Sequence, residues 1–308
     1  MDSPAPGHQP VLLREVVGAL GPGPGLTIFD CTVGRGGHAL ALSKALGTTG
    51  RLVCIDVDPV NLEFARRLLA GAQCEVRFFL GNFADIREVW YELSRPPVQG
   101  ILADLGVSSN QFSDPQYGLS FSQDMPLDMR LDKRLDRSAA DLVNQLSEKA
   151  LADLLFQLAQ ERDSRSIARN IVEARRISPI LTTERLSALV RSAVASRAAR
   201  RRTGRQTGTI DPATRTFLAL RMAVNRETEN LASLLKAAPE ILAAGGRLAV
   251  ISFQSTEDRM VKQAFRSAEQ TGLLKVVTKK PVTPSPDEVS ANPRSRSAKL
   301  RVAQRCPT

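Results

Sequence analysis

Histidine, cysteine, tryptophan and tyrosine are scarce in this chain: two His, four Cys, one Trp and two Tyr among 308 residues. With only His8 and His38, and with Cys31, Cys54, Cys74 and Cys306 forming no C-x-x-C pair, a Cys/His zinc site has too few ligands and no metal is expected. A Ser-His-Asp hydrolase would have to use one of those two histidines, and no G-x-S-x-G elbow accompanies them. Cys31 and Cys54 sit inside apolar strand-like runs, as buried thiols do in a reducing compartment. No apolar run approaches the ~18 residues that span a bilayer. MDSPAPGHQP has neither a basic start nor an apolar core, so no secretory signal and no membrane partner are expected. The expected location is the cytoplasm.

What is present is ordinary globular composition, 43% hydrophobic and 24% charged, over a length that suits one large domain or two modest ones. The net charge of +10 is unevenly placed. Residues 191–226 hold nine Arg against Asp211 alone, and residues 275–308 hold eight basic side chains against Asp287 and Glu288. The rest of the chain is net acidic. Two basic segments on an acidic body suit a polyanion binder, because each phosphate contact releases condensed counterions. Solvated arginine-rich faces are the plainer alternative.

The first 110 residues alternate strands and helices. Leu26–Cys31, Arg51–Asp56, Glu75–Gly81 and Gly100–Asp104 read as short apolar strands. Gly36–Leu46, Pro59–Leu69 and Ala84–Leu93 carry apolar residues three and four apart. That rhythm predicts parallel βαβ units. From about 125 to 205 only helical patterns occur: Ala139–Asn144, Glu148–Glu161, Arg165–Arg176 and Thr183–Ala199, the last capped by Thr182 or Thr183. Asp124, Asp128, Asp132 and Asp136 recur every four residues among basic neighbours, a spacing that suggests i,i+4 surface pairs. A long helix is expected from Pro212 to Ala237, with Gly245-Gly246 closing the helical stretch. The strand Arg247–Phe253, the helix Glu257–Thr271 and an antiparallel pair, Leu273–Lys279 with Ala298–Gln304, complete the pattern. The reading is an α/β core, residues 1–124 and 209–308, interrupted by an all-helical domain, residues 125–208.

LTIFDCTVGRGGHAL places Gly34, Gly36 and Gly37 between a strand and a helix, where backbone can approach a ligand closely. The G-x-G-G spacing is not the dinucleotide fingerprint. Twenty residues after Gly36, Asp56 closes the second strand, where an acid can hold both ribose hydroxyls. S-adenosylmethionine (SAM) fits this arrangement better than a nicotinamide, since it is cationic and has no pyrophosphate. Asp30, Asp56 and Asp104 at strand ends suit its amino group, its ribose and its adenine or acceptor side; the alternative for Asp30 and Asp104 is capping of nearby turns. Phe83 reads equally as an adenine neighbour or a core aromatic.

HQPVLLREVVGAL, DCTVGRGGHALAL, CIDVDP, DLGVSSNQF, PLDMRLD, IDPATRTFLALRMAVN, ISFQSTEDRMVK and NPRSRSAKLR occur here in one order, from His8 to about Arg301. This ordered set resembles the RsmH (MraW) family of bacterial SAM-dependent 16S rRNA (cytosine-N4)-methyltransferases. The resemblance implies a class I SAM-dependent methyltransferase fold, Rossmann-like and seven-stranded, with an inserted helical domain for substrate recognition. It implies N4-methylation of a cytidine in the decoding centre of 16S rRNA within the small ribosomal subunit. SAM contacts carry over to Gly36, Gly37, His38, Asp56, Phe83, Asp104 and Gln111. Asp104 is the candidate catalytic acceptor for the amine N–H, with Ser108 and Ser109 beside it. RNA contacts are expected from Arg200, Arg201, Arg202, Arg205, Lys279, Lys280, Arg294 and Arg296.

Three positions depart from the family pattern. Gln254 and Thr256 stand where His and Leu are usual, and Asp211 stands where His is usual. DPQYGLSF also replaces an Arg-Gly-Phe run around Tyr117–Leu119. Gln254 can hydrogen-bond but cannot act as a general base. Two rival readings share parts of this pattern: another SAM-dependent nucleic-acid amino-methyltransferase, and a non-catalytic rRNA-binding assembly factor. A homodimer is compatible with the sequence.

Overall fold

The computed structural model describes residues 10–200 and 211–307. The chain divides into two compact units, Met1–Ser108 with Thr228–Thr308, and Ser109–Glu227.

The first unit begins with helix α1 (Leu13–Leu20) and proceeds through β1 (Thr27–Asp30), α2 (Gly37–Leu46), β2 (Arg51–Asp56), α3 (Pro59–Leu68), β3 (Glu75–Leu80), α4 (Ile86–Glu92) and β4 (Val98–Asp104). The second unit holds α5 (Ser109–Ser113), α6 (Ala139–Gln145), α7 (Glu148–Ala159), α8 (Ser164–Arg175), α9 (Thr183–Arg200) and α10 (Ala213–Val224). The chain then returns through α11 (Glu227–Ile241), β5 (Leu242–Ser252), α12 (Ser255–Gln270), β6 (Leu274–Val276), α13 (Pro286–Ala291) and β7 (Lys299–Arg305).

The seven strands order as β3-β2-β1-β4-β5-β7-β6. All neighbours are parallel except β7, which runs antiparallel between β5 and β6. This is the class I methyltransferase topology. Successive strand residues alternate sides, so Phe29, Val53, Ile55, Ile101 and Val250 join the core beneath α4, α11 and α12. Ile28, Leu52, Cys54, Leu102 and Ile251 join a second core with α1, α2 and α3. Coverage on both faces explains the unbroken apolar runs of β1, β2 and β4. Each such buried Leu or Ile stabilises by about 1.5–3 kcal/mol. The outer strand β3 is largely uncovered, and its Glu75 pairs with Arg77 on the same strand and with Arg51 on β2, each at 2.8 Å. The opposite edge, β6, has three residues.

Three local expectations are corrected. The single helix from Pro212 to Ala237 is two helices, α10 and α11, broken at Asn225-Arg226 with Arg226 at φ 49°. Asn225 holds the break by donating to the Met129 carbonyl at 2.8 Å and accepting from Leu131 N–H at 2.9 Å. Gly245-Gly246 does not close a helix: α11 ends at Ile241 and the glycines lie within β5, whose register with β4 shifts between Val98 and Gly100. A Cβ on Gly246 would stand 2.9 Å from both the Ala243 and Val98 carbonyl oxygens, so only glycine allows this irregular pairing. The aspartate series makes no i,i+4 ion pairs among the described residues. Asp128 pairs with Arg130 at 2.8 Å and Lys133 at 3.1 Å, Asp132 with Arg134 at 2.8 Å, and Asp124 accepts the Glu184 N–H at the start of α9. The segment is irregular rather than helical, so neighbours two and five residues apart meet instead.

In the second unit α7 packs on α8 and α10, and α8 packs on α9. A Ser138–Asp141 capping box starts α6. Thr182 accepts the Arg185 N–H at the head of α9. The limits of this unit, Ser109 and Glu227, lie outside the 125–208 span read from the sequence; at the downstream end this is because α10 packs against α6 and α7.

Candidate active site at the strand ends

Three carboxylates stand at the C-terminal ends of neighbouring strands: Asp30 on β1, Asp56 on β2 and Asp104 on β4. In an open parallel sheet this is where ligands bind. The loop between β1 and α2 closes over them. Gly36 caps α2 with φ 82°, and a Cβ there would stand 3.1 Å from Leu68. A Cβ on Gly37 would stand 3.2 Å from the Pro10 ring. The loop is therefore pressed between α3 and the segment preceding α1; its Gly34 N–H donates to Asp56 at the end of β2, and its Gly36 N–H donates within the loop to the Val33 carbonyl.

Asp56 is the most thoroughly held. Its Oδ2 accepts the Gly34 N–H at 2.7 Å and its Oδ1 accepts the Asp58 N–H at 2.9 Å, while Asn61 adds a side-chain hydrogen bond. Burial raises its pKa to about 6 against these bonds, which lower it, and the Asp58 charge raises it further. Asp58 in turn caps α3 through the Val60 N–H at 2.9 Å. Asp30 is 1% exposed; its Oδ1 accepts the Thr32 N–H at 3.3 Å and its Oδ2 has no hydrogen-bond partner among the described residues. Burial pushes its pKa up to about 7; the Thr32 bond opposes this and the Asp56 charge adds to it.

Asp104 differs. Its backbone N–H is held by Thr32 Oγ1 at 2.7 Å, but Oδ1 has no partner among the described residues. Burial pushes its pKa up to about 8, and the charges of Asp30 and Glu257 add to the shift. Oδ2 lies 3.7 Å from His38 Nδ1, a contact that is ionic only with the imidazole protonated on both nitrogens. The other ring nitrogen, Nε2, meets the Val11 carbonyl oxygen at 2.9 Å, and a carbonyl can only accept. His38 therefore keeps a proton on Nε2 and turns Nδ1 toward Asp104.

A rim of buried carboxylates with two orphaned oxygens, and with no Lys or Arg partner among the described residues, calls for a ligand that brings positive charge and hydroxyl donors. SAM, with its ammonium, its sulfonium and its ribose diol, fits that donor set. Asp56 would take the ribose, and Asp30 and Asp104 the cationic portion.

Of the other residues singled out from sequence, Phe83 follows β3 in a short turn and packs partly against the core. Ser108 accepts from Asn61 Nδ2 at 3.4 Å, and Ser109 heads α5. Gln111 is buried on α5 in the second unit. Lys279, Lys280, Arg294 and Arg296 are all exposed on the first unit. Arg200 ends α9, and Arg201, Arg202 and Arg205 lie outside the described residues. Among the described residues no group of three His, Cys, Asp or Glu could hold a metal ion.

The departures from the family pattern have structural roles of their own. Gln254 is the N-cap residue of α12, and its N–H donates to Glu257 at 3.0 Å. Asp211 accepts from Arg191 at 3.0 Å and from the Ala213 N–H at 2.8 Å, capping α10. Sequence reasoning passed over Thr32, Asn61, Glu257 and the Pro10–Val11 contacts. Only Asn61 had a usable signal, lying on the first turn of the helix that Asp58 caps.

The family model of the MraW methylase family matches residues 5–306. The ribosomal RNA small subunit methyltransferase H of a Cyanothece species is 47% identical over 298 residues, covering 97% of this chain and 94% of that protein. The protein of the same name from Sorangium cellulosum is 45% identical, covering 97% and 90%. That from Acidobacterium capsulatum is 42% identical, covering 97% and 98%. With the class I topology and the carboxylate-lined strand ends, these matches place the chain in the MraW methylase family.

Proposed function

We propose that this chain transfers a methyl group from SAM to the exocyclic N4 amine of a cytidine in the decoding centre of 16S rRNA, within the small ribosomal subunit in the cytoplasm. The family is one of SAM-dependent methyltransferases, and the relatives' name specifies small-subunit ribosomal RNA. The observation that carries the finer reading is Asp104, a carboxylate with one unpartnered oxygen and a pKa raised to about 8.

Cytosine N4 is a weak nucleophile because its lone pair is delocalised into the ring. SAM supplies an electrophilic methyl group on an excellent leaving group. The protein has then to align the amine and to accept its N–H, which returns electron density to nitrogen. Asp104 Oδ1 is the acceptor in this reading, and its raised basicity suits it to take the proton that N4 must shed. His38, fixed through Nε2, presents Nδ1 to Oδ2 at 3.7 Å and holds the carboxylate there when Nδ1 too is protonated. Ser108 and Ser109 follow on the same connection as further acceptors. Gly36, Gly37, His38, Asp56, Phe83 and Gln111 serve the cofactor. The cytidine must leave its stack to reach a strand-end pocket, which favours a structured particle over a free duplex. The helical segment 125–208 and the basic side chains at 200–205, 279–280 and 294–296 serve RNA recognition.

Labelled SAM is incubated with small-subunit particles, naked 16S rRNA and DNA, and the label is located by nuclease digestion. Label on N4 of one small-subunit cytidine is expected. Label on DNA, or none on any substrate, overturns the reading in favour of another amino-methyltransferase or an assembly factor.

A further inference from the structure

Away from the carboxylate rim, α12, the end of β6 and β7 enclose a pocket of about 260 Å³. Four cations line it, Lys262, Arg266, Lys279 and Arg301, against the single acid Glu269. Arg301 is nearly buried and is already held by Asp258, its Nε donating to Oδ1 at 2.6 Å, so it serves as a fixed wall. Glu269 accepts the Val276 N–H at 2.9 Å, which turns it toward the strand. Lys262, Arg266 and Lys279 have no acidic partner among the described residues. Phe265 and Val276 give the pocket an apolar floor, and Thr278 adds a hydroxyl.

The register ties this pocket to the active site. Asp104 pairs with Ile251, Ile251 with Leu300, and Ser252 with Lys299. The start of β7 therefore lies two strands from Asp104, about 10 Å at ~4.8 Å per strand. Lys299 and Arg301 share one face of β7, and both reach Asp258 on α12. A basic track thus leads from beside the carboxylates to the sheet edge, and only its first two members have an acidic partner, the one carboxylate of Asp258 that they share.

We infer that this pocket seats a phosphate of the RNA backbone flanking the target nucleotide. The inference rests on the rRNA reading above and adds to it a second point of grip, formed by Lys262, Arg266 and Lys279. A small concave seat with three cations outside any ion pair, against one acid, matches one phosphodiester group better than it matches a flat protein surface. A Lys, unlike a bidentate Arg fork, binds phosphate as a point charge at variable angle, and the mixed set tolerates many backbone geometries. The contact would position the strand without reading sequence.

The test combines Lys262→Ala, Arg266→Ala and Lys279→Ala in the full chain. Binding to naked 16S rRNA is followed from 50 to 200 mM salt, with SAM affinity measured alongside. The slope of log K against log salt is expected to fall by about 0.7–0.9 for each phosphate no longer gripped. KM for small-subunit particles should rise about tenfold with kcat and SAM affinity kept. Arg266→Glu alone should weaken RNA binding, and Glu269→Gln should strengthen it. An unchanged slope in the triple variant overturns the pocket assignment. So does competition by polyglutamate at the charge concentration at which RNA binds. Because the slope is read from binding alone, it is independent of whether the unaltered chain labels N4, so failure of either proposal is recognised separately.

Discussion

Aspartates at the strand ends and aspartates in the helical unit live under opposite electrostatic rules. At the strand ends Asp30, Asp56 and Asp104 are buried without a Lys or Arg partner among the described residues, and their pKa values are raised to about 7, 6 and 8. In the helical unit Asp128, Asp132, Asp141 and Asp211 are each bonded to an arginine or a serine, which outweighs their partial burial and holds their pKa values below the ordinary carboxylate value. The same side chain is thus spent on structure in one place and kept in reserve in the other. A carboxylate that already holds an arginine has nothing left for a cationic ligand. One that is buried and incomplete destabilises the ligand-free chain, and the ligand relieves it.

The sharpest way to break this contrast is Asp104→Asn, which keeps the shape and removes the charge. Methyl transfer should fall by about 10²–10³-fold, the scale of losing one preorganised electrostatic contact. The same substitution should raise the melting temperature of the cofactor-free chain at pH 8 by about 2–4 °C. Activity measured beside calorimetry checks both. A variant that loses activity and stability together would place Asp104 among the structural aspartates.

The next largest effect is on pH. Groups with raised folded pKa contribute stability that is fully present below about pH 4 and is lost as pH rises through about 6 to 8. The cofactor-free chain should therefore melt at progressively lower temperature between pH 5 and pH 8. SAM affinity should run the other way, weakening as pH falls from 8 to 6 and the carboxylates take up protons. Calorimetry and titration across that range test the pair of trends, and parallel trends would sink the contrast.

On the other side of the comparison, Asp128→Asn strips partners from Arg130 and Lys133 and should cost about 1–3 kcal/mol at pH 7. Asp128 has a lowered pKa, so its stabilisation is present above the ordinary carboxylate value and is lost as pH falls through the folded one. Urea denaturation at pH 7 and pH 3 should thus show a difference at the first pH that shrinks at the second. The smallest effect belongs to Lys149→Ala. Its exposed pair with Asp153 should contribute no more than about 0.5 kcal/mol, within the error of the same denaturation curves.

The strand-end acids were legible in the sequence because each closes an apolar run, and a strand that stops on an acid announces where its carboxyl end lies. The glycine loop was legible for a similar reason: three glycines between a strand and a helix leave little else to be. What set the three acids apart from one another was not legible. Asp56 is quieted by Gly34 and Asp58 N–H groups, whereas Asp104 faces His38 and feels Glu257 from a helix far along the chain. Such differences arise from contacts distant in sequence. The break at Asn225 was hidden for the same reason, since the groups that hold it are the backbone of Met129 and Leu131. The Gly245-Gly246 pair misled because a helix end and an irregular strand both ask for glycine.

The sheet's two rims carry a last consequence. An unpaired strand is a template on which another chain can grow, and long sheets of this kind aggregate through such rims. Here one rim, β3, bears the charges of Glu75 and Arg77, which an incoming strand would have to strip of water, and the other, β6, is too short to nucleate a ladder. Copies crowded together at high expression, or on heating, are thereby denied the edge-to-edge route into fibrils.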